Sequence, residues 1–142
     1  MFQKIIQTDS SKTTIIIRLM VGAIFLSEGI QKFLFSEIVG AGRFKKIGFD
    51  NPEFWAQFTG FFEILCGSLI LAGFLTRLAT IPLLSIMLVA FITTKYPILI
   101  DKGFWIMAHE YRTDFAMTLG NLFLLIKGSG NWSTDFKILN KK

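Results

Sequence analysis

The sequence predicts an all-α membrane protein, folded as an antiparallel bundle of four transmembrane helices. Of its 142 residues, 52% are hydrophobic and only 18% are charged, and the mean hydropathy is +0.55. A soluble domain carries about 25% charged residues, so this surface needs lipid around it. The apolar residues fall into four runs separated by Gly, Pro and charged residues. These runs must be helices, because lipid offers no partners to an open strand edge.

Three of the four runs hold enough apolar residues to span the bilayer unaided. At 1.5 Å per residue, about 20 residues cross a hydrocarbon core of ~30 Å. Pro82 lies in the first turns of the third run, where a missing N–H is tolerated, and Pro97 marks its end. The predicted spans are about 14–35, 54–75 and 78–100.

The fourth run has a short apolar core, so its predicted span of about 108–127 must take several polar residues into the interface. Four spans make residues 1–142 a single membrane domain with both termini on one side. That side carries eight Lys and Arg residues, including Lys141 and Lys142. The other side carries seven, including Lys95. By the positive-inside rule, this bias predicts cytoplasmic termini.

Several function classes do not fit the sequence. The net charge is +5, but the basic residues lie scattered at the ends of apolar runs, so we predict no nucleic-acid partner. Cys66 has no second cysteine, which excludes dithiol chemistry within the chain. His109, the only histidine, cannot alone supply a bis-His haem or a three-ligand metal centre. We therefore predict no metal and no cofactor held within the chain, and interpret His109 as an interfacial anchor rather than a proton relay or quinone contact.

Ionisable residues inside the spans are the strongest functional signal. Each costs about 2.5–3.5 kcal/mol at a helix centre on insertion scales. Glu63 lies near the middle of the second span, and in the first span Arg18, Glu28 and Lys32 share an arc of about 80°. Polar stripes that face inward would pair with one another and leave the apolar side chains to lipid. The candidate buried charge network consists of Glu63, Glu28, Arg18, Lys32 and Asp114, with Arg112 as a further counter-charge.

Two interpretations of this network remain open: groups that handle protons, or ion pairs that only fix the register of the bundle. Glu63 is the first functional candidate because it is too central to snorkel to the interface. Gly60 and Gly67 share its helix face, which favours a close helix–helix contact there. The connection 36–53 mixes apolar and basic residues, and we expect either an interfacial segment over the bundle mouth or a solvated loop.

Three groups of residues resemble the DoxX family. The residues Arg18, Gly22, Phe25, Gly29 and Lys32 resemble its first-span pattern. The segment 48–80 resembles its second-span signature, with Glu63 and Gly67 followed by a turn at Gly73, Thr76 and Arg77. The tail resembles its closing motif at Gly128, Gly130, Ser133 and Asp135.

This resemblance implies a small four-helix protein of the bacterial inner membrane. Some members of the family are subunits of quinone-linked or thiol-linked oxidoreductase systems. The family often has a Glu within the fourth span, whereas this chain has Asp114 near its start and Asn121 further in. The resemblance therefore does not carry a proton or quinone site onto that helix.

Three functions follow as hypotheses. The first is an accessory subunit of a membrane oxidoreductase system, which binds a quinone or a partner oxidoreductase and uses its buried carboxylates for proton handling. The second is a non-catalytic scaffold or assembly subunit, whose charges are structural. The third is a small transporter, which would have to form a homo-oligomer because four short helices enclose little space.

Overall fold

The structure, a computed structural model, describes residues 2–140, and helices account for most of that range, with no β-strand in it. Lys141 and Lys142, which entered the orientation count, lie outside the described residues. The helices are α1 Phe2–Ile6, α2 Thr14–Leu34, α3 Ser36–Val39, α4 Ala41–Lys46, α5 Pro52–Ala72, α6 Thr76–Ala90, a π-helical turn Phe91–Lys95, α7 Tyr96–Lys102, α8 Phe104–Lys127 and α9 Thr134–Leu139.

Three helical stretches are long and apolar enough to cross a membrane: Thr14–Leu34, Pro52–Ala72 and Thr76–Lys102. The all-helical membrane fold is thus confirmed. Helix α8 has 24 residues and a length of about 36 Å, which suffices for a crossing. Its amino-terminal half carries Glu110, Arg112 and Asp114, and the helix is not among the three, so the fourth span stays a prediction.

The third apolar stretch does not end where Pro97 was expected to end it. The helix continues to Lys102 through the π-helical turn, in which the Tyr96 N–H donates to the Phe91 carbonyl five residues back. Pro97 has no N–H to give to the carbonyl of Thr93, so an unbroken α-helical ladder is blocked at this point. A π-helical turn is the local widening that lets the helix pass through.

Helices α2 and α5 form the most extensive contact in the bundle, and they approach closely at glycines. A Cβ atom added at Gly29 would lie 2.7 Å from the carbonyl oxygen of Gly60. One added at Gly67 would lie 2.8 Å from the backbone nitrogen of Leu26. The predicted close contact on the face of Gly60 and Gly67 is therefore confirmed, and no larger residue fits at these crossings.

The buried apolar core occupies the half of the bundle nearer the termini. It joins α2, α5, α6 and α8, and α6 packs mainly against α8 and α5. Cys66 belongs to it as a small packing residue. Since the core fills only that half, the other half of the bundle has room for a cavity. The core residues are Val21, Phe25, Cys66, Ile70, Ala79, Leu83, Met87, Met117 and Leu124.

Candidate functional site

A cavity of about 840 Å³ lies between the helices in the half of the bundle away from the termini. Helices α2, α4, α5, α6 and α8 and the π-helical turn all contribute to its walls. Arg43, Phe44 and Ile47 line it, so the connection between α2 and α5 does lie over the bundle mouth. The aromatic residues of the wall are Phe25, Phe44, Phe49, Trp55, Phe58 and Phe62. The charged residues are Glu28, Lys32, Arg43, Glu63, Lys95, Glu110 and Asp114.

One wall of the cavity carries a buried ion pair between α2 and α5. The Nζ atom of Lys32 lies 2.6 Å from Oε2 of Glu63, and the two side chains are only 10% and 5% exposed. The i, i+4 spacing favours Glu28 as the partner of Lys32, but Lys32 reaches across to the other helix instead. Glu28 lines the same cavity and forms no ion pair within residues 2–140.

A second ion pair joins the π-helical turn to α8. The Nζ atom of Lys95 lies 3.3 Å from Oδ2 of Asp114 and donates to the backbone carbonyl of Glu110 over 2.9 Å. Lys95 is buried, although its charge was expected on the side of the membrane opposite the termini. The signal that could have found it is its position inside the third apolar run, where any charge is costly.

The charges of the cavity nearly balance. Four carboxylates, on Glu28, Glu63, Glu110 and Asp114, face three basic groups. Two of the three basic groups are already neutralised by the ion pairs. The cavity therefore suits a neutral molecule that makes hydrogen bonds better than it suits an anion.

Arg18 lies apart from this cavity, at the terminal end of the bundle. Its guanidinium is buried and donates to the carbonyls of Ile70 and Leu71 over 3.0 Å and 2.6 Å, at the end of α5. It also donates to the carbonyls of Trp132 and Ser129, over 2.5 Å and 3.3 Å. A cation that binds the last carbonyls of a helix stabilises its carboxyl terminus. Of the five residues of the predicted network, Arg18 is thus the one that does not line the cavity with Glu63.

The segment after α8 folds back over the turn between α5 and α6; we call residues 128–139 the C-terminal clasp. The carboxylate of Asp135 accepts hydrogen bonds from the backbone N–H groups of Leu75 and Thr76, over 2.9 Å and 3.2 Å. Its own N–H donates to the carbonyl of Gly73. Burial raises the pKa of Asp135, and the bonds from Leu75 and Thr76 act in the opposite direction. The residues that resemble the closing motif of the family therefore hold the C-terminal clasp against the turn between α5 and α6.

The other predicted polar residues of α8 lie elsewhere. Arg112 is exposed, donates to the backbone carbonyl of His109, and forms no ion pair in the part of the chain that the structure describes. His109 is exposed and does not line the cavity. Among residues 2–140 there is no group of three His, Cys, Asp or Glu side chains that could hold a metal ion.

The fold and the site together define a helical membrane protein with ionisable side chains turned inward onto a cavity. A sequence model of the DoxX family matches residues 13–96, more than half of the chain. This chain belongs to the DoxX family. It is similar to the uncharacterized membrane protein Rv3486 of Mycobacterium tuberculosis (strain ATCC 25618 / H37Rv), with 45% identity over 141 residues. That alignment covers 95% of this chain and 86% of the relative. No solved structure matches the chain.

Proposed function

We propose that this chain is a four-span inner-membrane protein with cytoplasmic termini, an accessory subunit of a membrane oxidoreductase system that binds a quinone in its cavity. The observation that carries the proposal is the Lys32–Glu63 ion pair, which lies in a cavity wall that also carries aromatic and aliphatic side chains. Glu110 and Asp114 of α8 line the cavity together with residues of the other helices, which supports a fourth crossing by this helix.

The residues present fit a quinone. The cavity volume of about 840 Å³ lies within the usual range for sites that bind small molecules. Aromatic side chains such as Trp55 and Phe58 can stack on a planar ring. The ammonium groups of Lys32 and Lys95 can donate hydrogen bonds to ring carbonyl oxygens, and the carboxylate of Glu63 can accept one from a ring hydroxyl.

In this proposal the quinone supplies the redox chemistry, and a partner protein supplies the electrons. The chain's own groups bind the ring and move protons. Glu63 is the group that holds a proton or releases it, and the ammonium of Lys32, 2.6 Å away, is its ion-pair partner. Glu28 lines the same cavity without an ion pair among residues 2–140 and provides a second proton acceptor.

The binding test uses the intrinsic fluorescence of Trp55, which lines the cavity, in a W105F/W132F background in lipid nanodiscs. Menadione, a quinone without a tail, should quench this fluorescence saturably. E63Q or K32M should weaken the binding about tenfold, while the exposed controls E53Q and K45M should leave it unchanged. Quenching that never saturates, or that is identical in E63Q, would overturn the proposal.

A scaffold role is the second candidate, because both ion pairs connect neighbouring helical elements. It predicts that E63Q and K32M lower the unfolding temperature while no quinone binds to any variant. Purification in mild detergent, which would retain a bound partner protein, distinguishes an accessory subunit from a scaffold. A bound oxidoreductase that is retained in wild type and whose quinone reduction slows in E63Q supports the accessory-subunit proposal, whereas unchanged reduction supports the scaffold.

A further inference from the structure

The cavity has an uncharged side along α6. The residues of α6 that line it include Ile81, Ser85 and Val89, and none of the lining residues of this helix is charged. The charged groups come from α2, α4, the inward face of α5, the π-helical turn and α8. The cavity is therefore amphipathic, with a polar part and an apolar strip.

The apolar strip is also open to the outside of the bundle. Four side chains that line the cavity on α5 and α6 are between 39% and 52% exposed: Trp55, Phe58, Ile81 and Val89. A residue that lines a cavity and is exposed at the same time marks a gap in its wall. Trp55, Phe58, Ile81, Ser85 and Val89 define what we call the side opening.

The height of the side opening places it within the hydrocarbon. Phe58 lies 14 residues before the end of α5 and Val89 lies 13 residues after the start of α6. Since the two helices are joined by a short turn, both residues stand about 20 Å from it along the helices. Both helices belong to stretches long and apolar enough to cross a membrane. The side opening therefore faces lipid.

We propose that the cavity takes an amphiphile with a long apolar tail, whose ring lies at the Lys32–Glu63 and Lys95–Asp114 ion pairs and whose tail leaves through the side opening. This rests on the proposed function and narrows the ligand to a tailed quinone. Such a ligand enters from the bilayer and does not pass through water. Its tail replaces lipid beside Ile81 and Val89, while its ring meets the donors and acceptors of the polar part.

The test narrows the side opening and compares a tailed with a tail-less quinone. S85F changes an exposed residue of the opening, and S68F changes an exposed serine of α5 that does not line the cavity. Binding is followed through Trp55 in nanodiscs, with decylubiquinone as the tailed probe and menadione as the tail-less one. In S85F the association rate of decylubiquinone should fall at least tenfold and that of menadione should change less than twofold, with S68F like wild type.

A second matched pair guards against a variant that fails to fold. V89F alters the opening, and L88F alters the next residue, which is exposed but lies outside the cavity wall. Equal slowing of both quinones, or no slowing of either, in S85F and V89F overturns the tail proposal while the binding proposal stands. If neither quinone binds to the wild type, both proposals fall.

Discussion

At the scale of single residues, Lys32 and Glu63 form a buried ion pair, and we expect each to depend on the other. Removal of one partner from a buried ion pair leaves an uncompensated charge, at a cost of about 3–5 kcal/mol. We therefore expect E63Q and K32M each to lower the free energy of unfolding by about that amount. The double variant K32M/E63Q buries no unpaired charge. Its loss of unfolding free energy should therefore be at most half of the loss in either single variant. Reversible unfolding in mixed micelles measures the cycle, with exposed E53Q as the control. Additive losses would contradict a coupled pair.

Arg18 acts through geometry as much as through charge. Its guanidinium donates to carbonyls of both α5 and the C-terminal clasp, and a lysine cannot reach all of them with one ammonium. R18K should thus cost about 3 kcal/mol of unfolding free energy although the charge is kept, at about 1.5–3 kcal/mol for each lost charged hydrogen bond. The same exchange at exposed Arg112 should cost less than about 0.5 kcal/mol. Equal effects at the two sites, measured by chemical unfolding, would show that charge alone matters at Arg18.

The sequence could predict which residues face inward. It could not predict at which level along the bundle axis each of them pairs with a residue of another helix. Arg18 and Lys32 share one helix face, yet 14 positions separate them, which is about 21 Å along the axis. Helical periodicity alone cannot show whether Arg18 and Lys32 belong to one charge network or to two distant sites. Their partners depend on how neighbouring helices are shifted along their axes relative to one another. The same limit explains why Glu28 looked like the partner of Lys32, while the partner in the structure is Glu63.

At the scale of elements, we expect the π-helical turn to set the direction in which Lys95 points. A proline inside an apolar run predicts an end or a kink equally well, so Pro97 alone could not reveal the widened turn. Lys95 is the last residue of the turn, and its ammonium pairs with Asp114 of α8. This single irregularity explains why the α2–α5 contact was predictable and the Lys95–Asp114 contact was not.

Replacement of Pro97 by alanine tests the role of that turn. P97A restores an N–H that can bond to the Thr93 carbonyl, so the π-helical turn should convert to regular helix and rotate Lys95 away from Asp114. The coupling free energy between K95M and D114N, measured in a double-mutant cycle, should be about 1 kcal/mol or more with Pro97 and fall below about 0.3 kcal/mol in P97A. P82A, the matched change within α6, should leave the coupling intact. An unchanged coupling in P97A would mean that the turn does not set the direction of Lys95.

At the scale of the whole molecule, the bundle is closed at one end and open at the other. Arg18, Asp135 and the C-terminal clasp tie α2, α5 and α6 together at the terminal end. The cavity with its two ion pairs and its side opening lies at the other. A small membrane protein divided in this way can keep one end rigid while a ligand enters the other. The two ends should then respond independently to mutation.

This independence is measurable with D135A. The variant removes the acceptor for the N–H groups of Leu75 and Thr76, which lie under the clasp, so unfolding free energy should fall by about 2–4 kcal/mol. Protease cleavage within residues 128–140 should become faster, while menadione quenching of Trp55 should keep its wild-type affinity. In D135A/E63Q the two stability losses should add to within about 0.5 kcal/mol, because the sites share no contact. The exposed variant K137A controls for changes within the clasp itself. A weakened quinone affinity in D135A would instead mean that the clasp sets the helix spacing at the cavity, and that the two ends of the bundle are energetically coupled.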